Sequence, residues 1–117
     1  MLTCKEGNAI IANYLGYKYY SKGEDPYEYG WRLDKSKNYR RDYFLSRKPN
    51  LLIHLDNELL LKVLFNILID KNIEFAHVNK EIKFFINSEL YTINLNNIKS
   101  IYFNTILLIQ NYGQRII

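Results

Sequence analysis

Cysteine occurs once, at Cys4, which excludes a disulfide framework and a cysteine-based zinc site. Histidine occurs twice, at His54 and His77, and neither sits in a Glu-x-x-His or His-x-x-x-His pattern. That leaves a metal centre little to build on. Glycine is scarce, with 5 in 117 residues. Neither Gly-x-x-x-x-Gly-Lys nor Gly-x-Gly-x-x-Gly occurs, so no phosphate-binding loop is present by motif. No apolar run approaches the roughly 18 residues of a membrane span. Met1 to Gly7 carries Lys5 and Glu6 and no hydrophobic segment, so it does not read as a secretory signal. The expectation is a soluble, cytoplasmic chain forming a single domain over 1–117, because about 100–150 residues is the usual size of one core.

What is abundant is isoleucine, asparagine and lysine, with 15, 14 and 11 copies, together with 11 tyrosines. All four use AT-rich codons, and the asparagines are scattered among periodic apolar positions rather than gathered in a prion-like tract. Charge is uneven. The formal net charge is +4, and it resides in the first fifty residues. The densest stretch holds Arg32, Lys35, Lys37, Arg40, Arg41, Arg47 and Lys48 against Asp34 and Asp42. Eight of the 11 tyrosines precede residue 44. The chain has a basic, aromatic front and a neutral, aliphatic back.

Asn8 to Leu15 reads as a short helix, with Gly16 suited to its left-handed end. Tyr17 to Tyr20, Trp31 to Leu33 and Asp42 to Leu45 read as short strands, separated by the loops Ser21 to Gly30 and Asp34 to Arg41. Leu51 to Leu55 is a further short apolar segment. Asp56 to Asn72 gives the strongest helix signal, capped by Asp56. Its polar positions Lys62, Asn66 and Asp70 form one narrow stripe, which predicts burial on most sides. Ile73 to Val78, Glu81 to Asn87 and Leu90 to Leu95 read as an antiparallel meander, with Ile82, Phe84 and Ile86 on one face and Tyr91, Ile93 and Leu95 on one face. Asn96 or Asn97 caps a last helix, Ile98 to Tyr112, which Gly113 ends. The order predicts an α+β fold, an antiparallel sheet (a three-strand meander plus short N-terminal strands) packed with about three helices.

Candidates for chemistry are few. His54 and Asp56, at strand spacing, would place a general base beside an orienting carboxylate; Asp56 acting simply as a helix cap is the plainer reading. His77 shares a strand face with Ile73 and Phe75 and reads as a partly buried structural residue. Cys4, beside Lys5, has no histidine near it in sequence. Glu24, Asp25 and Glu28 lack a second acidic cluster for a two-metal site. The expectation is a non-enzymatic protein with no cofactor and no metal. In the front half, Trp31, Tyr39, Tyr43 and Phe44 interleave with arginine and lysine. Cations that neutralise phosphates and rings that stack on bases suit RNA or single-stranded DNA. The same residue types also supply protein–protein hot spots, and an ordinary solvated loop over core aromatics has this composition too.

Ile11-Ala12-Asn13-Tyr14-Leu15-Gly16-Tyr17 resembles the helix end that opens a group of small phage and prophage proteins of Bacteroidetes type, related to the phage ABA sandwich domain. Gly30-Trp31, the Asp56 to Ile67 helix with Leu60-Leu61-Lys62-Val63-Leu64, Asn97-Ile98-Lys99-Ser100-Ile101-Tyr102 and Leu108-Ile109-Gln110-Asn111-Tyr112-Gly113 are similar to its later motifs. The resemblance implies a phage or mobile-element accessory protein, working in the host cytoplasm, and carries over no catalytic residues. The expected function is binding of a host protein or ribonucleoprotein, most concretely inhibition of a host defence nuclease such as a CRISPR–Cas effector. The alternative is an accessory protein that binds nucleic acid through residues 31–48. The expected contact set is Tyr27, Tyr29, Trp31, Arg32, Tyr39, Arg40, Arg41 and Tyr43. No membrane partner is expected, and the pattern leaves the oligomeric state open.

Overall fold

A computed structural model describes residues 3–20, 30–33, 44–46 and 51–112. The chain divides into two compact units, Met1–Leu52 with Gln114–Ile117, and Ile53–Gly113. The described elements are three helices and two antiparallel three-stranded sheets, the expected α+β class.

In the first unit, the Thr3 hydroxyl accepts from the Glu6 backbone N–H at 3.1 Å, while the Glu6 carboxylate accepts from the Thr3 N–H at 3.2 Å. This reciprocal capping box satisfies two backbone donors that a helix start leaves open. It opens helix α1 at Cys4–Tyr14, well before the expected Asn8. Apolar spacing begins only at Ile10, which is why periodicity alone misses the first turn. Gly16, at φ 95°, lets the chain turn left-handed after the cap residue Leu15 and enter the sheet. The strands are β1 (Tyr17–Tyr20), β2 (Gly30–Leu33) and β3 (Phe44–Ser46), in the order β1-β2-β3. β1 and β2 pair Tyr17 with Leu33 through Tyr20 with Gly30. A bulge between Trp31 and Arg32 interrupts the pairing of β2 with β3. Buried Asn8 donates from Nδ2 to the Leu51 carbonyl at 2.7 Å, tying α1 to the end of this unit.

The second unit begins with a single 3-10 turn, Ile53–Leu55, within the short apolar segment Leu51 to Leu55. Asp56 then accepts from the Leu59 N–H at 3.1 Å and caps helix α2, Asn57–Asp70. The helix ends in a Schellman arrangement: the Ile73 N–H reaches the Leu68 carbonyl, the Asn72 N–H reaches that of Ile69, and Asn72 adopts φ 52°. Leu60, Val63, Leu64, Ile67 and Leu68 are buried, and Lys62, Asn66 and Asp70 are exposed as expected. Burial is narrower than the sequence suggests, however. Leu59, Leu61 and Phe65 are only half-buried, and Ile69 is exposed.

Strands β4 (Phe75–Val78), β5 (Glu81–Ile86) and β6 (Glu89–Asn94) follow as a meander in that order. The β4–β5 turn places Asn79 at φ 57°, and the β5–β6 turn places Asn87 and Ser88 at φ 50° and 70°, the two left-handed centres of a tight hairpin. Ile82, Phe84 and Ile86 are buried on the inner face, with Ile93 beside them. Phe84 stacks on Tyr91 at 5.6 Å, and Phe65 of α2 meets the Phe75 ring of β4 at 6.2 Å. Helix α3, Ile98–Tyr112, is capped by Asn97, whose Oδ1 accepts from the Lys99 and Ser100 N–H groups at 3.0 and 3.4 Å. It packs against α2 and β6. Ile101, Tyr102, Thr105, Ile106, Leu108 and Ile109 are buried, and Ile98 and Tyr112 are half-buried. The buried Thr105 hydroxyl donates back to the Ile101 carbonyl at 2.7 Å. Each fully buried aliphatic side chain stabilises by roughly 1.5–3 kcal/mol, which makes this two-helix, three-strand layer the main hydrophobic core of its unit. Among the described residues, no helix is long and apolar enough to cross a membrane.

Candidate functional site

Of the eight expected contact residues, Trp31 and Arg32 are described. Tyr27, Tyr29, Tyr39, Arg40, Arg41 and Tyr43 lie outside the described residues, as do Lys35, Lys37, Arg47 and Lys48. Trp31 and Arg32 are successive residues of the central strand, so their side chains point to opposite faces. Both faces are covered. Trp31 is 9% exposed and lies against its cross-strand partner Tyr19, ring centroids 5.6 Å apart. Arg32 is 5% exposed, with its guanidinium 3.9 Å from the centre of the Tyr20 ring. Lys18 lies on the same face, its ammonium 5.7 Å from that ring. Arg32 also donates from Nη1 to the Leu33 carbonyl at 3.4 Å. An arginine on a ring face, screened from water, gains a stronger cation–π attraction than a solvated one. Both side chains thus build the sheet from within.

The ladder also separates the two flanking segments. Segment 21–29 joins Tyr20 to Gly30, which are paired at one end of the β1–β2 ladder. Segment 34–43 joins Leu33 to Phe44, at the other end of β2. The attachment points of the two tyrosine-bearing segments therefore stand a strand length apart, about 10–13 Å.

The other candidates resolve more plainly. His54 sits in the 3-10 turn, so the strand spacing that would align it with Asp56 is absent. Its half-buried ring meets Tyr102 edge-on at 6.2 Å, and Asp56 serves as the α2 cap. His77 is exposed rather than partly buried, at the edge strand β4, with its ring 6.5 Å from Phe65. Cys4 is exposed in the first turn of α1. Among the described residues, no group of three histidine, cysteine or acidic side chains is placed to hold a metal ion. Hydrogen bonding moves two pKa values. The Thr3 backbone and hydroxyl donors hold the Glu6 carboxyl below its ordinary 4.5. Donation to the Glu89 carboxylate at 3.0 Å raises the Tyr91 phenol.

One surface escaped the sequence reading. The outer face of the β4-β5-β6 sheet carries Val78, Phe85 and Leu90 at 57%, 52% and 53% exposure, with Phe85 directly opposite Leu90. The signal was present in the alternation. Phe85 falls out of phase with Ile82, Phe84 and Ile86, and Leu90 out of phase with Tyr91 and Ile93, so each of these two apolar residues points outward. Two large apolar side chains paired on one open face form a patch rather than isolated exposures. No known protein family matches this chain, and neither curated proteins nor solved structures contain a significant match to it.

Proposed function

We propose that the chain is a non-catalytic protein that acts stoichiometrically on a host macromolecule through its basic, aromatic front. The most concrete form is a phage or mobile-element inhibitor of a host defence nuclease such as a CRISPR–Cas effector. The observation that carries this is the double-sided burial of β2. Trp31 packs on Tyr19 and Arg32 stacks on Tyr20, in the strand that in sequence directly precedes the cationic segment with Tyr39, Arg40, Arg41 and Tyr43. Tyrosine and arginine are the side chains that interfaces favour. The phage origin rests on the resemblance of Ile11 to Tyr17, Asp56 to Ile67 and Asn97 to Tyr102.

The test is capture of partners by the tagged chain from a bacterial lysate, with and without nuclease treatment. A defined protein complex that survives nuclease, and is lost from R40E/R41E while the melting temperature stays unchanged, supports the proposal. Recovery of only mixed RNA or DNA that washes off as salt rises overturns it in favour of nucleic-acid binding, since phosphate contacts release counterions. A charge-reversed variant that captures the same complex overturns the assignment of the site.

A further inference from the structure

The outer face of the second sheet matches itself. Cross-strand pairing sets its residues in level rows: Ala76, Lys83 and Thr92 in one, Val78, Glu81 and Asn94 in the next, all exposed. Consider a two-fold axis lying over this face, at right angles to the strands and midway between Glu81 and Lys83. It lays each row on the other row of a second copy. Lys83 then meets Glu81 of the second copy, and Glu81 meets its Lys83. Within these two rows Ala76 faces Val78 and Thr92 faces Asn94, so apolar meets apolar and polar meets polar there. An axis along the strands would instead set Lys83 on Lys83 and Glu81 on Glu81. We propose that this chain self-associates as an isologous dimer through the outer face of β4-β5-β6, in antiparallel alignment.

A second copy, rather than an unrelated protein, is favoured because the charges on the face complement themselves under one operation, which a two-fold interface requires. Packed sheets of this kind stand about 10 Å apart with strands roughly aligned. In the same register Phe85 falls over Asn79 of the second copy and Leu90 over its Asn96, next to the paired rows. Strand spacing and rise give each three-stranded face an extent of roughly 14 by 20 Å. The area buried by two such faces is several hundred Å², below the ~1,200 Å² of standard stable interfaces. The dimer is accordingly weak and dependent on concentration.

The experiment is sedimentation velocity on the full chain, from low micromolar to near millimolar, for wild type, E81K, K83E, the double swap E81K/K83E, and an equimolar mixture of the two single variants. Circular dichroism and thermal melts establish that each variant is folded. Wild type dimerises as concentration rises. Each single variant opposes like charges at both contacts and weakens association at least about tenfold. The double swap restores it, and so does the mixture, because an all-positive face then meets an all-negative one. Wild type that stays monomeric at every concentration overturns the proposal and leaves the face to a different protein. A dimer indifferent to the single charge reversals also overturns it, since the interface would then lie elsewhere.

Discussion

Replacing Arg32 by alanine removes a guanidinium that is 5% exposed and 3.9 Å from the Tyr20 ring centre. Alanine keeps Cβ, so the buried stem loses roughly two methylenes, at about 0.8 kcal/mol each. Stacking of a desolvated cation on tyrosine contributes on the order of 1–2 kcal/mol. Against these stands the cost of taking the charge out of water, several kcal/mol. Alanine relieves that cost but leaves a cavity, so the net loss is about 2–4 kcal/mol. Methionine keeps the volume and carries no charge, so Arg32→Met stays within about 1 kcal/mol of wild type. Lysine keeps the charge but lacks the flat face, and Arg32→Lys falls between the two. The assay is denaturant unfolding followed by the emission of Trp31, the single tryptophan, which is buried in the same sheet. Circular dichroism, dominated by the helices, is recorded in parallel. The Arg32→Ala midpoint falls and the Arg32→Met midpoint does not. If alanine leaves the unfolding free energy within about 0.5 kcal/mol of wild type, the buried role is refuted, and Arg32 belongs with the solvated contact residues.

Two further outcomes follow from local geometry. Ser88→Gly stabilises by about 0.5–1 kcal/mol, read as a higher urea midpoint, because Ser88 holds φ 70° in a hairpin turn whose preferred pair is asparagine followed by glycine. The capping box makes α1 sensitive to acid. The carboxyl of Glu6 is held below its ordinary 4.5, so its contribution is fully present above that value and lost as pH falls through the lowered folded-state pKa. Glu6→Gln keeps an acceptor for the Thr3 N–H without titrating. Thermal melts from neutral pH downward then show the gap between wild type and Glu6→Gln closing in that window, and a gap independent of pH refutes the cap's role.

The second unit was legible because its patterns are strong and local. Ile82, Phe84 and Ile86 alternate, Ile101, Thr105 and Leu108 repeat at helical spacing, and Asp56 and Asn97 stand where caps belong. The first turn of α1 was missed because Thr3 and Glu6 announce it by hydrogen bonding rather than by hydrophobicity. The 3-10 turn was missed because Leu51 to Leu55 is too short to show a period. Arg32 misled for another reason. A cation in a short basic stretch reads as solvated, and the ring that buries it, Tyr20, belongs to a different strand. Partnership across a sheet has no signature in the residues next to it. The outward apolar residues Phe85 and Leu90 were visible in the letters, yet their meaning depended on which positions the pairing register brings level.

The asparagines at 72, 79 and 87, all at positive φ, bear on how this sequence can drift. Left-handed turns are usually served by glycine, whose codons are rich in guanine. A genome under mutational pressure toward adenine and thymine supplies asparagine instead, the non-glycine residue that tolerates the same backbone best. The codons AAY and GGY are two bases apart, and the single-step intermediates between them encode aspartate and serine. Every step of that path suits a left-handed turn better than a β-branched residue does. Relatives in genomes of different base composition are therefore expected to exchange asparagine, aspartate, serine and glycine at positions 72, 79, 87 and 88 while keeping the meander intact. Valine or isoleucine at any of those positions would mark a chain whose turns have been rebuilt.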